Sequence, residues 1–162
     1  MALAISLLAI LIAVGALAHN GLEGRRHHVR QIEEFYLTRY WRLLDDLPSD
    51  ALICGDSSGQ ETADQKAAYV RSARLYLRLC EDELEIRERG MVSDDTWDDW
   101  VKGMNNQLDR WPVSIEWQNI RDGALKQQTR KQFKHLRQVE GSVKLYDPCK
   151  WKRRSMRWYH GL

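Results

Sequence analysis

The stretch ALAISLLAILIAVGALA, Ala2 to Ala18, carries no charged side chain, and it restricts what this chain can fold into more than any other feature. As an α-helix it spans roughly 25 Å, the lower bound for the hydrocarbon core of a bilayer. Arg25, Arg26 and Arg30 follow directly, together with His27 and His28, and only the α-amino group is positive ahead of the segment. The positive-inside rule then puts the N-terminus outside and the body of the protein in the cytoplasm, at the inner membrane. A cleaved signal peptide is the rival reading, since Ala16-Leu17-Ala18 suits a processing site. It needs a basic region in front, which this sequence does not have, and the downstream arginines oppose export. The expectation is a single-pass signal-anchor over residues 1–20 and a basic juxtamembrane segment over 21–31. The lipid bilayer is its first partner, met by Arg25, Arg26 and Arg30.

Beyond the anchor, helix signals prevail and strand signals are scarce, so the expected fold class is all-α: a transmembrane helix, then a small cytoplasmic bundle over residues 32–141. Ile32, Phe35, Tyr36, Leu43 and Leu47 suggest one apolar face, stopped by Pro48, on a helix that could run on from the membrane segment. SDALICGDSSGQ reads as a linker. The clearest periodicity runs from about Thr62 to Arg89, where Val70, Ala73, Leu77, Cys80 and Leu84 recur at three- and four-residue steps. Arg71, Arg74, Arg78, Glu81, Glu85 and Glu88 read as a solvated ridge opposite, with Arg78 and Glu81 placed to pair. A helix over about Asp94–Asp109 carries Trp97, Val101, Met104, Leu108 and Trp111. Pro112 can serve as the first residue of another turn. A last amphipathic helix is expected over about Asn119–Val139, and an irregular tail after Gly141.

LCEDELEIRERGMVSDDTWDDW, Leu79 to Trp100, raises the question of an acidic active centre. Position gives each charge a structural motive. Gly90 suits the left-handed residue after a helix, Ser93 suits an N-cap, and Asp94, Asp95, Asp98 and Asp99 face the positive end of a helix dipole. Cys80, Gly90, Ser93, Trp97 and Trp100 are therefore expected to build a corner between two helices. An enzyme reading would rest on Glu81 and Glu83 with Cys80. The three glutamates Glu81, Glu83 and Glu85 fall on different faces, no Glu-x-x-His pair is present, and no histidine has a nucleophilic partner at motif spacing. There is no P-loop, no GxGxxG and no CxxC; Cys54, Cys80 and Cys149 stand far apart. The expectation is no enzyme, no metal and no cofactor.

A formal net charge of +2 hides an asymmetry, acidic from Glu81 to Asp99 and basic from Arg121 to Arg157. Either the basic end faces a separate partner, or the two ends compensate inside the fold. In the tail over residues 142–162, Lys150, Lys152, Arg153, Arg154 and Arg157 alternate with Trp151, Trp158 and Tyr159. Such a run suits an anionic leaflet, with nucleic acid or the protein's own acidic corner as alternatives.

The segment YLRLCEDELEIRERGMVSDDTWDDWVKGM, Tyr76 to Met104, resembles a signature found in bacterial proteins with one N-terminal membrane helix. The resemblance rests on Leu79, Cys80, Glu81, Glu83, Gly90, Met91, Val92, Trp97, Trp100 and Gly103, with similar stretches in FYLTRYWRLLD and WPVSIEW. It implies a helical fold and an anchor, and brings no activity. The functional expectation is a membrane-anchored, non-enzymatic module that scaffolds or recruits a protein partner or a second copy. Binding of anionic lipid or nucleic acid by the tail is the alternative.

Overall fold

The computed structural model describes residues 2–47, 59–123, 126–140 and 146–149. These are all-helical, with no strand among the described residues: α1 (Ala2–Asp45), α2 (Ala63–Glu88), α3 (Asp94–Leu108), α4 (Val113–Arg121), α5 (Lys126–Thr129) and α6 (Leu136–Glu140). Pro48, Cys54 and most of the linker lie outside the described residues, as does the tail from Lys150 onward.

The apolar segment and the helix after it are one unbroken α-helix of 44 residues. An 18-residue window in it reaches a mean hydropathy of 2.0, with none of it buried. Ile5, Leu8, Leu11 and Ile12 all stand open. By length and composition this is a helix able to cross a membrane. The second half of α1 lies against α2 and buries Val29 and Leu44, with Tyr40 partly covered; Leu47, in the turn after it, is buried too. Of the expected face, Leu47 is buried and Ile32, Tyr36 and Leu43 are partly covered; Phe35 alone departs from it, at 59% exposure, while Val29 and Leu44 join the covered side. Apolar residues surround this half of α1, so spacing alone does not select the face; contact with α2 does.

α2 is the central element, touching α1, α4 and α6. It starts in a reciprocal cap: Gln65 N–H donates to Thr62 Oγ1 at 3.2 Å, and Thr62 N–H donates to Gln65 Oε1 at 2.8 Å. Its end is a Schellman motif. Gly90 N–H donates to the Arg87 carbonyl and Met91 N–H to the Ile86 carbonyl, with Gly90 at φ +72°. Ala73, Leu77, Cys80 and Leu84 then meet Trp97, Val101 and Met104 of α3 and Trp117 and Ile120 of α4 in one core.

The solvated ridge needs correction. Arg78 pairs with Asp82, four residues on, and Glu81 is 1% exposed. The Glu81 carboxylate accepts the His135 and Leu136 backbone N–H groups at 3.0 and 2.9 Å. Those are orphan donors at the start of α6, so a side chain 54 residues upstream supplies its cap. Glu81→Ala is expected to cost about 2–3 kcal/mol, since bonds to a charged acceptor are the stronger kind. Hydrogen exchange should show the loss first at His135 and Leu136.

Two further expectations give way. Pro112 is the N-cap of α4, not its first helical residue, and follows a cis peptide from Trp111. The single helix over Asn119–Val139 does not form: α4 stops at Arg121, and helix returns only at Lys126–Thr129 and Leu136–Glu140. Gly123 turns back to donate to the Gln118 carbonyl, and a Cβ there would sit 3.0 Å from the Asn119 backbone. That close approach ends the helix.

Candidate functional site

Arg87, in the last turn of α2, is 1% exposed and organises the acidic corner. Its Nη1 donates to the Val92 carbonyl at 2.7 Å and its Nη2 to Asp94 at 2.8 Å. Nε and Nη2 also grip the two oxygens of Asp147 at 2.9 and 2.7 Å, a bidentate fork. The guanidinium lies 5.7 Å from the Trp97 ring centre. Residues 146–149 are thereby strapped across the corner, and Trp97 Nε1 donates to the Tyr146 carbonyl at 3.2 Å. Ser93 caps α3 through Thr96 N–H, and its own N–H and Oγ donate to Glu33 of α1 at 2.7 and 2.6 Å. Arg87, Asp94, Asp147 and Glu33 thus join α1, α2, α3 and the strap, while Asp95, Asp98 and Asp99 stay exposed.

The three residues of the enzyme reading serve different surroundings. Both oxygens of Glu81 serve α6. Cys80 is buried in the core, and burial, with Glu83 nearby, pushes its thiol well above the usual range, so it does not supply a thiolate. Glu83 alone turns toward open space.

That space is a cleft of about 140 Å³ between α1, α2 and α3. Tyr40 of α1 and Tyr76 of α2 form one wall, their ring centres 6.1 Å apart. Trp100 and Gly103 of α3 form another, and Asp99 stands exposed at the rim. Glu83 lines the cleft at only 5% exposure. Among the described residues no hydrogen bond or ion pair reaches its carboxyl group. Burial, reinforced by Asp82, raises its pKa from the ordinary 4.5 to about 8. Burial likewise raises both Tyr40 and Tyr76, with Cys80 and Glu83 adding to it.

Gly103 is the second unusual residue in this wall. It sits inside α3, its φ is not positive, and a Cβ placed on it would meet nothing within 4 Å. The fold therefore does not need glycine there, while the helix loses stability by having it. Gly103→Ala is expected to stabilise the protein by about 0.5–1 kcal/mol in thermal melts. What the missing side chain preserves is the cleft.

The basic residues after the apolar segment continue along α1. Arg26 pairs with Glu23 at 3.2 Å, Arg25 lines a groove with Gly21, Gly24 and Gly90, and Arg30 is exposed. Lys150, Trp151, Lys152, Arg153, Arg154, Arg157 and Trp158 lie outside the described residues. Part of the basic region does meet α2, with Lys134 Nζ 3.9 Å and His135 Nε2 3.5 Å from Glu88. No family model, no curated protein and no solved structure matches this chain.

Proposed function

We propose that the chain is a membrane-anchored, non-enzymatic helical module that holds a protein partner at the cytoplasmic face of the inner membrane. The observation that carries this reading is α1 itself. One helix runs from the unburied apolar segment through Arg25, Arg26 and Arg30 into the packed domain. Processing after Ala18 would cut that helix in mid-run, and the arginines favour the cytoplasmic side. The commitment of Glu81 to capping and of Cys80 to the core supports a role without catalysis.

Leu37 and Trp41 form the recruiting surface. They stand four residues apart on one side of α1, 46% and 56% exposed, and Leu37 borders the cleft. A photo-crosslinking side chain in place of Trp41, in intact membranes, is expected to give one adduct of discrete mass. Leu37→Asp in the same chain should abolish it. An adduct of twice 19.1 kDa identifies a second copy as the partner. No adduct, or one indifferent to Leu37→Asp, contradicts recruitment through this surface.

A further inference from the structure

The Glu83 side chain is more than nine-tenths buried, has no hydrogen-bonding or ionic partner among the described residues, and turns its carboxyl group to the cleft and not to the packed core. Among the described residues that line the cleft with Glu83 there is no cation; Lys102 stands 4.0 Å from Asp99 at the mouth, and Arg39 and Arg89 act on Tyr36 nearby. α1 presents Tyr40, with Tyr36 nearby; α2 presents Tyr76, Cys80 and Asp82; α3 presents Asp99 at the mouth. The cleft is walled by aromatic rings and lined by an acid. It has several times the ~10–15 Å³ that one water needs. Gly103 keeps it open at a cost to helix stability. Aromatic faces with an adjacent carboxylate are the chemistry that recognises an organic cation.

We propose that the cleft between α1, α2 and α3 binds a small soluble organic ammonium, with Glu83 as its counter-ion and Tyr40, Tyr76 and Trp100 as its aromatic walls. Binding is a proton exchange: the Glu83 carboxyl group releases its proton to solvent, and the carboxylate pairs with the incoming cation. No covalent bond changes. A lipid headgroup carries the same ammonium chemistry, but geometry disfavours that source. Tyr40 lies about 33 Å along α1 from Ala18, whereas the headgroup layer is only about 5–8 Å deep.

The test is calorimetric titration of the full chain with tetramethylammonium, whose charge does not depend on pH. The protein is held in nanodiscs of either phosphatidylglycerol or phosphatidylcholine. Saturable binding is expected, equal in both lipids, with close to one proton released per ligand below about pH 7. Affinity should rise close to 10-fold per unit from about pH 6 and level off above about pH 8. Glu83→Gln should weaken binding at least ~10-fold and remove its pH dependence. Gly103→Leu should block the cleft while melting no lower than the parent chain. Absence of saturable binding overturns the proposal, as does binding indifferent to both substitutions. Weaker binding in phosphatidylcholine alone would reassign the site to lipid headgroups and overturn the soluble ligand.

Discussion

Arg87→Ala is expected to lower the unfolding free energy by about 3–5 kcal/mol, the range for removing one partner from a buried charge network. The guanidinium is fully enclosed, and three groups from three segments depend on it: the Val92 carbonyl, Asp94 at the start of α3, and Asp147 in the strap. Asp94 and Asp147 are partly exposed and regain water when the arginine is lost. The Val92 carbonyl belongs to a fully buried residue and regains less. A melting temperature lower by roughly 10 °C should result. Arg87→Lys keeps the charge but cannot fork across Asp147, so it should recover only part of the loss. Hydrogen exchange should rise first around Val92 to Asp94. A loss below about 1 kcal/mol would show that the corner does not depend on this residue.

Glu83 should impose a pH dependence of the opposite sense to that of most carboxylates. Its folded-state pKa, about 8, lies above the ordinary 4.5. Between those values the folded chain holds a proton that the unfolded chain releases, so stability falls as pH rises. The slope approaches about 1.4 kcal/mol per pH unit inside that window and vanishes above about pH 8. Glu83→Gln removes the contribution. The difference between mutant and parent should therefore grow in the mutant's favour from about pH 5 to pH 8, reaching a few kcal/mol, while other titrating groups cancel. A difference that stays flat across this range would mean that Glu83 is not held protonated. Tetramethylammonium should narrow the gap by stabilising the ionised parent.

Local chemistry carried far in this sequence. The charge-free segment at Ala2–Ala18, the cap at Ser93 and the stop at Gly90 depend on neighbours within a few residues, and each stands in the structure where spacing puts it. Glu81 shows where that logic ends. A helical wheel gives the angle between residues but not what surrounds the helix, and α2 is flanked by three elements, so one edge of its charged row points inward. The expected helix over Asn119–Val139 fails for a related reason. Ile120 and Leu136 fall in separate short helices and Phe133 in the turn between them, and α6 is capped by a carboxylate that no local pattern reveals. The cleft was half legible. Glu83, Trp100 and Gly103 all stand in the acidic stretch and its continuation, but only α1 laid alongside brings Tyr40 to them. The exposed Leu37 and Trp41 acquire meaning only once Val29 and Leu44 are seen to take the buried face.

Topology is the most direct test of the central claim. A reporter pair, one member active only in the cytoplasm and the other only outside it, is fused after Leu162 of the full chain, and the fusion is sized in membrane fractions. The anchored reading predicts cytoplasmic activity, an uncut chain in the membrane, and release to the soluble fraction when residues 2–18 are deleted. Activity on the outer side, or a chain shortened to begin after Ala18, would contradict it.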